Sequence, residues 1–252
     1  MQEVLDFFAQ WGNRLYETFI VDGNYLQLLT GFGNTLLITV CALLIGVALG
    51  TTIALMKFLA GEQKALKPLA VVCDCYVTAI RGIPVVVLLL MFYFLILRSA
   101  DGVVTGIVTF GINSGAYMAE IIRAGIETVD RGQNEAARSL GLSRVQSMRR
   151  VILPQAVKNI LPAIANEFVT IIKESSICYT IGVQEIMYGV NSIKAATFSI
   201  GEPLIIAAIV YFCLTFPTSK IISYFEKKMS AGDRRDGSEG KKLFQRNAKQ
   251  GG

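Results

Sequence analysis

Five stretches of largely apolar residues, at 32–56, 78–97, 103–122, 159–181 and 203–225, leave this chain few ways to fold. Each is close to the roughly 20 residues that a helix needs to cross a hydrocarbon layer about 30 Å thick. Backbone groups in lipid must bond within their own segment, so helices are expected. Apolar residues make up 53% of the 252 and charged ones only 17%, which is too oily for a soluble domain of this length. The sequence thus predicts an all-α integral membrane protein with five transmembrane helices. Its second span has an ambiguous start. Leu69 to Ile80 is also largely apolar, Pro84 either kinks or begins the membrane helix, and 62–77 is alternatively an interfacial elbow.

Charge orders these spans across the membrane. The connections 57–67, 123–158 and 226–252 hold 18 Lys and Arg, against three in 1–31, 98–102 and 182–202. The positive-inside rule then places the amino terminus outside and the carboxyl terminus in the cytoplasm. Residues 1–31 lack a secretory-signal pattern, so the first span is expected to direct insertion itself. Val4, Phe8, Trp11, Leu15 and Phe19 recur at helical spacing opposite Asp6, Arg14 and Glu17. This amphipathic segment lies either along a membrane surface or against the protein's own spans. The basic, Gly-rich stretch 226–252 reads as a disordered cytoplasmic tail.

Several chemistries are excluded. There is no histidine, and the five cysteines are an odd number lying mostly inside apolar segments, which argues against a disulfide framework. Cys73-Asp74-Cys75 offers two thiols with no second pair, a poor metal site. No cofactor and no nucleic acid partner are expected. No Gly-x-x-x-x-Gly-Lys-Ser/Thr loop occurs, so the chain is not expected to hydrolyse ATP itself.

Between the third and fourth spans, at 126–154, lies a polar block with an internal spacing. It reads Glu135-Ala136-Ala137, three residues, Gly141, nine residues, then Val151-Ile152-Leu153-Pro154. Asp130 with Gln133, and Ser143 with Gln146, each have the spacing of a capping box and imply two short helices. Gly141 between them suits the left-handed conformation that ends a helix, giving a two-helix elbow. Ala136 and Ala137 keep one face thin enough to enter a cleft. Arg138, Arg144, Arg149 and Arg150 supply charge for a partner or for lipid headgroups.

The spacing resembles the EAA loop of the membrane subunits of bacterial ABC importers, whose usual form is EAA, three residues, Gly, nine residues, Ile-x-Leu-Pro; only Val151 departs. Arg81-Gly82-Ile83-Pro84, Tyr117-Met118-Ala119-Glu120-Ile121-Ile122-Arg123, Gly132-Gln133-Asn134-Glu135-Ala136 and Lys173-Glu174-Ser175-Ser176 are similar to segments of the polar amino-acid branch, which takes up histidine, glutamine, glutamate and arginine. The resemblance implies the type I importer permease fold and a coupling role for the elbow. It further implies pairing with an identical or homologous permease subunit, a dimer of ABC ATPase subunits and an extracytoplasmic solute-binding protein, with a polar amino acid as substrate. Glu135 is then the expected principal coupling contact, with Ala136, Ala137 and Gly141 setting shape and Arg138 or Arg144 adding polar contacts.

The fourth span carries a polar stripe. At 100° per residue Asn166, Glu167, Thr170, Lys173 and Glu174 fall within an arc of about 120°. Glu167 to Glu174 lie roughly 12 to 22 Å from the span's cytoplasmic start, too deep for all of them to reach an interface. They are expected to line the translocation path or to pair with Glu120 or Arg81 on neighbouring helices. Asn113 and Tyr117 on the third span are weaker pathway candidates, and Glu120 with Arg123 reads as an intrahelical pair at the headgroups. A gradient-driven secondary amino-acid transporter is the alternative, but the elbow has no role in it.

Overall fold

The computed structural model describes the backbone of residues 2–250 and their side chains apart from 2–8, 62, 64 and 226–250. Among these residues every regular element is helical. Helix α1 (Gln2–Tyr16) runs through a π turn at Glu17–Val21 and a Gly23 turn with φ +70° into α2 (Tyr25–Glu62). Next come α3 (Lys67–Gly82), α4 (Val85–Met91) and α5 (Gly102–Glu127). The elbow contains α6 (Arg131–Ser139) and α7 (Arg144–Ser147), followed by α8 (Leu153–Glu174), α9 (Ile186–Thr197) and α10 (Gly201–Gln250).

Two helices, Tyr25–Gly61 and Gly201–Phe225, are each long and apolar enough to cross a membrane. Lys67–Gly82 with Val85–Ile96 meets the same test only as a pair, bent by 104°. The stretch expected as one span at 78–97 is therefore two helices. Ile83 is extended ahead of Pro84, because the proline ring excludes the preceding residue from helical geometry, and Pro84 has no N–H to donate. Helices α5 and α8, 26 and 22 residues long, have the length of a span but dilute it with small and polar residues.

Those small residues set the packing of α2 on α5. A Cβ added at Gly50 would lie 2.7 Å from the Ala119 nitrogen and still closer to Met118. Gly111 meets Ile45 at 2.7 Å, and Gly115 meets Leu49 at 2.9 Å. Glycines on both helices thus let the backbones approach as they do in membrane bundles. Ile38, Ala42, Phe110, Leu89, Ile171 and Cys178 close the core beside this seam. From α3, the Tyr76 hydroxyl donates to the Ile112 carbonyl at 2.6 Å and ties that helix to α5.

The remaining segments pack around this core. Phe19 sits with Leu28, Val190, Ile193 and Ala207, so the amino-terminal segment packs on the protein's own helices. Helix α10 keeps its helical backbone to Gln250, through most of the stretch expected to be disordered; its Lys, Arg, Glu, Gln and Ala residues all favour helix.

Glu185 holds α9 in place. Its carboxylate is fully buried, accepts from the Met187 and Tyr188 amides at 2.8 and 2.7 Å, and accepts from the Tyr211 hydroxyl of α10 at 3.0 Å. The backbone of Glu185 lies where a Cβ on Gly31 would be, at 2.6 Å, so α2 closes the third side. Burial pushes this carboxyl up to about 7 from its ordinary 4.5, against the three hydrogen bonds that favour the ionised form.

Two outcomes follow from this packing. Gly50→Val should overpack the seam by about 2 kcal/mol, lowering the melting midpoint in detergent by roughly 4–8 °C, whereas Gly33→Ala, with nothing within 4 Å, should leave it unchanged. Between pH 4.5 and 7 folded Glu185 keeps a proton that the unfolded chain has lost. Its contribution to stability is therefore full below the lower value and falls away as pH rises through the upper one. Melting curves over that window should show this decline, and Glu185→Gln should flatten it.

Candidate functional site

The elbow is built by its caps. Asp130 accepts from the Gly132 amide at 2.7 Å and starts α6, but Gln133 does not complete the box; its side chain instead accepts from Gln155 at 3.4 Å. Ser143 and Gln146 form the full reciprocal box that starts α7. Between them Gly141 has φ +83°, and the Leu142 amide reaches back to the Ala137 carbonyl at 3.2 Å, closing the end of α6. Ser147, buried, donates to the Asn134 side chain at 2.7 Å and fixes α7 against α6.

The residues predicted for docking separate onto two faces. Glu135 and Ala136 are exposed, and Glu135 makes no ion pair among the described residues. Ala137 is buried and turns toward the protein, so it packs the elbow rather than thinning an outer face. Arg138 donates to the Leu142 carbonyl at 2.9 Å. Arg144 lies over the Phe58 ring, 5.8 Å from its centroid, and donates to the Gly61 carbonyl at 3.4 Å, clamping the elbow to the end of α2. Sequence reading missed Leu140, an apolar side chain 84% exposed beside the Gly141 turn; a leucine in a polar block carries no periodic signal.

From the elbow the chain continues without leaving helical geometry. A π turn at Met148–Ile152 joins α7 to α8, with Ser147, Ile152 and Leu153 all right-handed helical. Residues 144–174 thus form one rod, roughly 45 Å long at 1.5 Å per residue. Its far half carries the polar stripe, and the structure divides that stripe. Glu167 is buried, beside the Ser114 hydroxyl of α5. Asn166 and Lys173 are exposed, with Thr170 and Glu174 half-buried. Lys173 also edges a cavity of about 520 Å³ with Val86, Ser176, Tyr179, Thr180 and Tyr211.

Asn113 and Tyr117 do not join the open part of the stripe. Asn113 is buried in α5, and Tyr117 belongs to a second polar site toward the elbow end of the helices. There a cavity of about 540 Å³ opens between α2, α3 and α5, lined by Lys57, Asp74, Arg81, Tyr117, Glu120 and Arg123 among others. Lys57 pairs with Asp74 at 2.6 Å. Arg123 binds Glu120, its Nε donating at 3.0 Å, and also Glu127 at 2.6 Å. These carboxylates hold the Arg123 guanidinium above its already high ordinary pKa. Arg81 lies over the Tyr117 ring, 5.2 Å from its centroid. Neither Arg81 nor Glu120 pairs with the stripe, contrary to one of the two expectations. Spacing along one helix cannot reveal such a cluster, because its members come from three helices.

Comparison with known proteins agrees with this architecture. The profile of the family described as binding-protein-dependent transport system inner membrane component matches residues 46–231. The chain is 38% identical over 210 residues to the arginine transport system permease protein ArtQ of Bacillus subtilis, covering 82% of this chain and 94% of that one. It is 36% identical to the probable glutamine ABC transporter permease protein GlnM of the same organism, over 83% and 96% of the two chains. Among solved structures, a chain from a crystal structure of an amino acid ABC transporter with histidines superposes with TM-score 0.77 and 42% identity, covering 82% of this chain and 96% of that chain. The MetNI methionine ABC transporter in an inward-facing form shares the fold, with TM-score 0.62, 21% identity and coverage of 80% and 97%.

Proposed function

Because the chain belongs to the family of binding-protein-dependent transport system inner membrane components, we propose that it forms one half of a pore that imports a polar amino acid, driven by a separate ATPase docked at the elbow. The carrying observation is the continuous helical rod from Arg144 to Glu174, which joins the elbow directly to the polar stripe. Relatives named for arginine and glutamine, and a structural neighbour described with histidines, support the solute class.

In this reading the elbow faces the cytoplasm, the amino terminus lies outside, and a dimer of ATPase subunits meets Glu135, Ala136 and Leu140. Hydrolysis takes place in that partner. A second permease subunit, identical or homologous, faces the open stripe, and an extracytoplasmic solute-binding protein delivers the amino acid. Closure of the ATPases pushes the elbow. The Ser143–Gln146 box, the Ser147–Asn134 bond and the Arg144 clamp on α2 keep it rigid, so the displacement passes along the rod rather than being absorbed in a loop. Asn166, Thr170, Lys173 and Glu174 then change the side on which they are accessible. A zwitterion suits them, with carboxylate groups meeting its cationic part and Lys173 its carboxylate.

The test is uptake by vesicles holding the permease and its ATPase, with a panel of loaded binding proteins outside. Stimulation of ATP hydrolysis by one of them, with uptake independent of sodium or proton gradients, is the expected result; uptake that follows an ion gradient without ATP refutes it. Gly141→Pro removes the left-handed turn and should leave membrane insertion intact while cutting solute moved per ATP hydrolysed about tenfold or more. Replacing Asn166, Glu167 and Glu174 together by Leu, Gln and Gln should abolish uptake in a protein that still assembles; full uptake removes the stripe from the pathway.

A further inference from the structure

Of the two guanidiniums lining the cavity between α2, α3 and α5, one forms no ion pair among the described residues, though its charge reaches Glu120. Lys57 is paired with Asp74, and Arg123 with Glu120 and Glu127. Arg81, exposed at the cavity wall, has the Tyr117 ring as its contact and forms no hydrogen bond or ion pair among the described residues. A guanidinium carries five N–H donors in a planar fork, matched in shape to two oxygens of a carboxylate or phosphate. The ring beneath fixes its plane and leaves its edge free.

Arg81 is exposed at the wall, so its guanidinium is open to water and to an entering anion. At about 540 Å³ the cavity has room for a free amino acid with its hydration. The open polar face of α8 lies elsewhere, since no α8 residue lines this cavity.

We propose that this cavity is a second solute-holding site, on the elbow side of the stripe, in which Arg81 binds the α-carboxylate of the transported amino acid on its way to release. The proposal rests on the importer reading above and assigns Arg81 a role that reading does not use. The ion-paired neighbours Lys57, Asp74, Glu120 and Arg123 keep the site polar, with their own cations already engaged. Recognition through the α-carboxylate makes the site indifferent to the amino acid's side chain, as a release station can be.

Vesicles with ATPase and loaded binding protein first establish ATP-driven uptake of L-arginine, L-glutamine, L-histidine or L-glutamate; uptake of none defeats the importer reading and this inference with it. The permease with its ATPase, in nanodiscs and without binding protein, is then titrated with the transported amino acid and with its decarboxylated amine, agmatine in the case of arginine. The expected result is that the amine binds about tenfold more weakly or worse, and that Arg81→Gln weakens the amino acid by a similar factor while leaving the amine unchanged. Arg81→Lys, which keeps the charge, should fall between the two and guards against a folding failure. Equal binding of acid and amine, or unaltered amino-acid affinity in Arg81→Gln, overturns the proposal while ATP-driven uptake stands. Phospholipid that copurifies with the wild type and is lost in Arg81→Gln, with amino-acid affinity unchanged, makes Arg81 a headgroup ligand and overturns it too.

Discussion

The glycine-lined approach of α2 to α5 is the constraint from which the other placements follow. Between lipid and protein there is no hydrophobic gain in bringing two apolar helices together, so contact must come from close packing. Gly46 and Gly50 on one side, and Gly111 and Gly115 on the other, leave no room for even a methyl group. Once α5 is fixed on this seam, its other faces become the reference for its neighbours. Gly125 takes Ile160 of α8 against it, and the Ile112 carbonyl receives Tyr76 of α3. The bent pair α3–α4 and the rod that ends in α8 are therefore both registered against one helix.

That shared reference gives the rod something to move against. Arg144 touches the end of α2 through Phe58 and Gly61, while Glu167, some 23 residues further along, sits beside Ser114 of α5. A displacement at the first point would reach the second through continuous helical backbone, whose hydrogen-bond ladder is interrupted at the π turn and at Pro162. π turns inside helices recur at functional sites, and this one falls where the elbow enters the span.

Much of this was legible in the sequence, and the misses have physical causes. The elbow was readable because its determinants are local: Ser143 and Gln146 are three residues apart, and Gly141 needs only its own backbone to turn. The polar stripe was readable as a periodicity, but a single helix does not say which of its polar residues its neighbours cover. Glu167 went inward and Lys173 outward for reasons that lie in α5. Ala137 was assigned to an outer face on the same incomplete information. The 104° break at Pro84 was readable as a proline but not as an angle, and the cavity around Arg81 was invisible, because three helices supply it.

The distribution of charge separates what one protomer completes from what it leaves open. Lys57 with Asp74, and Arg123 with Glu120 and Glu127, are ion-paired across α2, α3 and α5 at the elbow end, leaving one carboxylate in excess that Arg81 nearby offsets. On the open face of α8 no ion pair forms among the described residues, although Lys173 and Glu174 lie close enough to feel each other's charge. Lys173 is exposed there with Asn166, and Glu174 beside it is only half-covered. An ammonium facing hydrocarbon at the middle of a bilayer costs several kcal/mol, more than a surface ion pair returns. That face must therefore meet water or another polypeptide, as the proposed pore with a second half would provide. The same reasoning separates Arg81 from its neighbours. It is the guanidinium in its cavity that stacks on a ring and forms no ion pair among the described residues.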